Sequence, residues 1–95
     1  MITFTVKMRF DPADHEQIRE ILTQLATASR TEPGCVTYIP HFLDGDISTV
    51  LIYEQYKDEH DVEFHRSTAH FKKYAIGGLY QKMLDRQVET LAAVI

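Results

Sequence analysis

The sequence predicts an α+β fold, a four-stranded antiparallel sheet with two helical regions on one face. Three observations carry this. Apolar and polar residues alternate with period two near both ends of the chain, as half-buried strands require. Stripes with helical spacing follow Asp11-Pro12 and Asp58. Between them Asp44-Gly45-Asp46, a hairpin turn signal, joins two further strand-like runs. With 95 residues there is room for one core, so residues 1–95 are expected to form a single domain.

The first strand places Ile2, Phe4, Val6, Met8 and Phe10 on one face, with Thr3, Thr5, Lys7 and Arg9 on the other. Asp11-Pro12 stops it and starts a helix: Asp11 caps, Pro12 suits the first position, and Asp14 and Glu16 suit the positive end. Ile18, Ile21, Leu22, Leu25 and Ala28 then form one apolar stripe, which Glu32-Pro33-Gly34 ends. A second strand over Val36 to Leu43 contains Pro40, which cannot donate to a ladder and places the strand at an edge or bulge. The third, Ser48 to Tyr56, is apolar on both faces, with Val50 and Ile52 on one and Leu51 and Tyr53 on the other.

Asp58 and Asp61 make a capping pair for the second helical region. Ser67-Thr68 interrupts it, and Thr68 can cap a further segment carrying Phe71, Tyr74, Ala75 and Leu79, softened or ended by Gly77-Gly78. A fourth strand is expected over Gln87 to Ile95. The order strand, helix, strand, strand, helix, strand packs most simply as a ferredoxin-like βαββαβ plait. Such a plait leaves one sheet face bare, while the third strand is apolar on both sides. A second copy covering that face is the simplest resolution, so a homodimer through the sheet face is expected.

Bulk properties narrow the function. A net charge of −4 without a basic patch argues against nucleic acid, and no apolar run can span a bilayer. The opening alternation lacks the apolar block of a signal peptide, and the single cysteine, Cys35, cannot form an intramolecular disulfide. A cytoplasmic protein is expected, with Cys35 a small buried hydrophobe.

His60, His65 and His70 recur at five-residue steps. On a continuous α-helix five residues turn roughly 500°, which leaves the side chains about 140° apart. They cannot converge on one ion from such a helix; a break at Ser67-Thr68 could bring His65 to His70, but no cysteine or carboxylate cluster stands ready to finish a site, so no metal is expected. General acid–base work fits better. His65 lies three residues after Val62 on the buried side of its helix, over Tyr53, Tyr38 or Met8. The competing reading is that His65 and His70 only satisfy hydrogen bonds at the helix break. His60 and His15 read as exposed first-turn residues, and His41 as an exposed edge-strand residue. Tyr74, near Phe71, can point into the same cavity as His70, whereas packing is the reading for Tyr56 and Tyr80. Glu54 is expected to pair across the sheet with Lys7 or Arg9.

Glu32-Pro33-Gly34-Cys35-x-x-Tyr38, Tyr53-Glu54-x-Tyr56-x-Asp58-Glu59 and His65-x-x-x-x-His70-Phe71, in that order, resemble the antibiotic biosynthesis monooxygenase (ABM) domain family. The resemblance implies a dimeric α+β barrel with a cavity between helices and sheet. It also implies a monooxygenase that oxidises a quinol or polycyclic phenol with dioxygen, without metal, flavin or other cofactor. His65 would then be the proton acceptor, His70 an orienting or second acid–base group, and Tyr38, Tyr53, Phe71 and Tyr74 the substrate-binding wall. Haem-degrading relatives use a Trp and a haem-ligating His; this chain has no Trp, and Ala75 stands at the matching position. Two alternatives remain from the same resemblance: an isomerase of a small phosphorylated carbonyl compound related to autoinducer processing, with Arg66, Lys72 and Lys73 near the cavity, and a non-enzymatic ligand-binding dimer.

Overall fold

Every second residue of the opening strand is apolar, and that parity decides which way the whole sheet faces. The computed structural model describes residues 1–95. Strand β1 (Ile2–Arg9) leads through a 3₁₀ turn (Pro12–Asp14) into helix α1 (His15–Ser29). A hairpin, β2 (Cys35–Leu43) and β3 (Asp46–Tyr56), precedes helix α2 (Glu59–Ser67), a π-helical segment (Phe71–Leu79), a single turn α3 (Tyr80–Lys82) and strand β4 (Asp85–Leu91). The strands lie in the order β2-β3-β1-β4, with every neighbouring pair antiparallel. This is the expected ferredoxin-like plait.

The core lies between one sheet face and the helices. Phe4, Val6, Met8 and Phe10 meet Val50, Ile52 and Tyr56 of β3 and Ile18, Leu22, Leu25 and Ala26 of α1, all buried. Each such side chain contributes about 1.5–3 kcal/mol relative to exposure. Asp11 Oδ1 accepts from the Ala13 amide at 2.9 Å, so the cap forms as expected, but the first turn is 3₁₀ and the α-helix begins only at His15. Pro40 sits on β2, an edge strand, where its missing N–H breaks no ladder. Gly45 takes φ 78° between the hairpin strands, a conformation that side-chain-bearing residues rarely adopt.

Three boundaries differ from expectation. β4 spans Asp85–Leu91 rather than Gln87 to Ile95, because Asp85 already pairs with Arg9 and the ladder ends at Thr3 opposite Leu91. β3 begins at Asp46, two residues earlier, where the hairpin closes on Leu43. Gly77 and Gly78 lie inside the π-helical segment instead of ending it. A Cβ on Gly78 would stand 3.3 Å from Ile21 Cγ2, so the glycine lets this segment lie close on α1.

Gly34 fixes a closer approach. A Cβ there would meet Asp61 Cγ at 2.0 Å and Asp61 Cβ at 2.4 Å, and the Gly34 carbonyl accepts from the Lys57 amide at 3.0 Å. The turn after α1 is thereby pressed onto the first turn of α2. Gly34→Ala must push the two apart, and we expect a loss of about 1–3 kcal/mol in stability, read from urea unfolding. An unchanged unfolding midpoint would show that the approach is not tight.

Candidate active site

The helix break at Thr68 is what brings the histidines together. Thr68 adopts ψ 154°, its hydroxyl donates to the His65 carbonyl at 2.7 Å, and that same oxygen accepts from the Phe71 amide at 3.2 Å. One side chain thus closes α2 and opens the π-helical segment. The 140° separation of a continuous helix no longer applies. His65 Nδ1 donates to Glu32 Oε2 at 2.8 Å, and His70 Nε2 meets the same oxygen at 2.5 Å. The side chains of Glu32 and His65 retain only 3% and 4% of their exposure, whereas His70 keeps 20% and reaches the surface.

Glu32 overturns the premise that no carboxylate stands near these histidines. The ligating atoms of Glu32, His65 and His70 lie within 4.8 Å of one another, a set that could hold an ion. Ligands 2.0–2.2 Å from a tetrahedral ion stand roughly 3.4 Å apart. The 2.5 and 2.8 Å separations seen here are instead those of charge-assisted hydrogen bonds to a shared carboxylate. The carboxylate accepts at His65 Nδ1, which turns Nε2 toward Glu54, 3.8 Å away.

His65 lines a cavity of about 40 Å³, room for a few water molecules. Phe4, Val6, Met8 and Ile52 form its floor, and Tyr38, Phe71, Tyr80, Arg66 and Arg86 stand in its walls. Tyr38, Tyr56 and Phe71 surround the imidazole with ring centroids 5.7, 5.2 and 5.2 Å away. Of the residues singled out from sequence, His65, Tyr38 and Phe71 therefore meet at one cavity, with His70 behind His65 on Glu32. Tyr53 is not among them. It pairs with Thr5 and Ile39 on the opposite sheet face, since its parity is odd where Ile52 and Glu54 are even. Tyr74 falls between the cavity residues Phe71 and Ala75 and lies outside the lining, under Lys73 Nζ at 5.2 Å.

Glu54 also departs from expectation. It points into the core, away from Lys7 and Arg9, and accepts from the Tyr56 hydroxyl at 2.6 Å. Parity was the available signal, because Glu54 shares its face with Val50 and Ile52. His15 is less exposed than expected: its ring lies 4.5 Å from that of Phe42, and Nδ1 stands 3.1 Å from the Ile47 carbonyl. His60 is solvated, as expected, with 85% of its side chain exposed.

Burial raises the titration of several groups near His65. Tyr38 is held well above the ordinary phenol range by burial and by the nearby Glu54, and Tyr56 is raised for the same two reasons. Both stay phenols, and the Tyr56 hydroxyl donates to Glu54. Cys35 is pushed up to about 11 by burial and Glu32, which leaves it an unreactive thiol. Burial raises the Glu54 carboxyl too, against the Tyr56 hydrogen bond and the nearby His65, Arg66 and Arg86. Between the ordinary carboxylate range and that raised value, the folded protein holds a proton that the unfolded chain has released. Stability therefore falls as pH rises through this window. Glu54→Gln keeps the acceptor for Tyr56 and removes the titration, so its advantage over the parent should grow as pH rises above the ordinary carboxylate range, about pH 4. Parallel urea midpoints across that rise would contradict this account.

Known proteins place this chain in a family. The family model described as antibiotic biosynthesis monooxygenase matches residues 1–75. "Putative monooxygenase YcnE" of Bacillus subtilis (strain 168) is 30% identical over 78 residues, 82% of each chain. The fold is shared at TM-score 0.92 with a crystal structure of an antibiotic biosynthesis monooxygenase, 20% identical over 100% of both chains. It is shared at TM-score 0.89 with PA3566 of Pseudomonas aeruginosa, 24% identical over 99% of this chain and 94% of that one. The one cavity that gathers His65, Tyr38 and Phe71 thus sits on a chain that belongs to the antibiotic biosynthesis monooxygenase family.

Proposed function

We propose that this protein is a monooxygenase that uses dioxygen to oxidise a hydroxylated aromatic, a quinol or polycyclic phenol, with its own side chains as the only catalytic groups. The observation that carries the reading is a buried imidazole whose Nδ1 is held by a carboxylate while its other nitrogen is turned toward an apolar, tyrosine-walled cavity. That nitrogen takes the proton of a substrate hydroxyl. The resulting phenolate is electron-rich enough to reduce dioxygen itself. One oxygen atom replaces a ring hydrogen and becomes a carbonyl; the other leaves as water with the ring and phenolic hydrogens. Glu32 holds the imidazole in the tautomer required and stabilises it once protonated, and His70 fixes Glu32 from the surface side. Tyr38 and Phe71 present faces against which the ring stacks. The space beside His65 is about 40 Å³, so an aromatic ring enters only as Phe71, Tyr80 or Arg86 moves aside.

His65→Gln should lower kcat by about 10²–10⁴-fold without loss of fold. Oxygen uptake, measured together with product mass across quinols and polycyclic phenols, should add one oxygen atom from dioxygen and be insensitive to a chelator. Turnover that persists without oxygen would replace this reading with the isomerase, and loss of activity on chelation would assign the Glu32, His65 and His70 cluster to a metal.

The reading includes a homodimer. The sheet face opposite the helices carries Ile39, Leu51, Tyr53 and Leu91, with Ile39 and Leu91 each 42% exposed, interleaved with threonines and charged groups. A second copy packed sheet to sheet would cover them, and Tyr53 then serves the interface rather than the substrate. Sedimentation at micromolar concentration should give a dimer, and Tyr53→Glu should shift it toward monomer; a monomeric parent would remove the assembly from the proposal.

A further inference from the structure

Two of the residues lining the His65 cavity are arginines, Arg66 from α2 and Arg86 from β4. The chain has five arginines, and the other three are engaged. Arg9 pairs with Asp85 at 3.5 Å, Arg19 lies 4.0 Å from Glu16 and 3.3 Å from His15 Nε2, and Arg30 donates to the Tyr38 carbonyl at 2.9 Å. Arg66 and Arg86 have neither an acidic partner nor a side-chain hydrogen bond. Arg86 instead lies over the Tyr80 ring, 5.3 Å from its centroid, a contact that orients the guanidinium and leaves its N–H groups free.

The rest of the molecule sharpens the contrast. Net charge is −4, so two unanswered cations at one cavity run against the overall balance. Glu54 is the one carboxylate in the lining. Its Oε1 accepts from the Tyr56 hydroxyl, and neither guanidinium forms an ion pair with it. A second hollow of about 200 Å³ adjoins the first between α2 and β4, and Phe4 and Arg66 line both. A ligand reaching His65 from this side passes Arg66 and then meets Arg86 in the wall of the first hollow.

We infer that the substrate is a hydroxylated aromatic carboxylate, its hydroxyl at His65 and its carboxylate held by Arg66 and Arg86 in the wall of the same cavity. A guanidinium presents paired N–H donors matched to a carboxylate, and this pair has no competing partner to displace. The inference deepens the functional reading and rests on it, since the hydroxyl must lie at His65.

The test compares binding of 2,5-dihydroxybenzoate with its neutral isostere 2,5-dihydroxybenzamide, by calorimetry at low salt. The acid should bind about tenfold more tightly, as charge-assisted hydrogen bonds imply. Arg66→Gln and Arg86→Gln should each shrink the preference, and together abolish it, while amide binding stays the same. Arg66→Lys should retain part of it, and Lys57→Gln, at an exposed lysine outside both hollows, should leave it intact. Equal binding of acid and amide, failure of both to bind at millimolar concentration, or a preference surviving the double arginine variant would overturn the inference. Binding is read apart from oxygen uptake. Acid-selective binding without oxygen consumption would sink the oxygenase and leave the anion site standing.

Discussion

A single buried carboxylate holds the working half of this molecule together. Glu32 accepts from His65 and His70 through the same oxygen, and so joins the turn after α1 to both sides of the break between α2 and the π-helical segment. A charge this deeply buried is tolerable only with hydrogen-bonding partners; removing one would leave the other group stranded at a cost of several kcal/mol. Gly34 brings the turn within reach, and Thr68 turns the chain so that two histidines five residues apart can meet one acceptor. The arrangement needs all three features at once.

The sheet separates two tasks by parity. Its even face supplies the cavity floor and the Glu54–Tyr56 pair, under helices that keep water out. On its odd face, Tyr53 and Leu51 stand beside Thr5 and Lys7, each at least partly exposed. Neighbouring residues of β3 therefore belong to different environments. A shift of one residue in register would exchange them, which is why the alternation of β1 against β3 is strongly specified.

Within the cavity, polarity follows depth. The inner end is an imidazole flanked by Tyr38, Tyr56 and Phe71, with both tyrosines kept protonated by burial. At the β4 and α2 side stand two guanidinium groups without an ion pair or side-chain hydrogen bond, Arg86 lying over the Tyr80 ring. The ligand orientation inferred above follows this gradient, with the apolar body and hydroxyl inward and the anionic group outward.

Element order, the capped helix starts, the edge position of Pro40 and the glycine turn were all legible in the sequence, because each depends on residues within a few positions of one another. So was His65 on the buried side of α2, through its spacing from Val62, and the family through three short motifs. Glu32 lies within one of those motifs, but nothing local marks it as the partner of the histidines. It lies 33 residues from His65 and 38 from His70, and no local period relates them. Tyr53 and Tyr74 looked suitable by residue type, but sheet parity and the π-helical turn send them elsewhere. Strand and helix periods are short-range properties that residue spacing records directly. Which side chains meet across 30 residues is set by how the elements pack, and only the tertiary structure decides it.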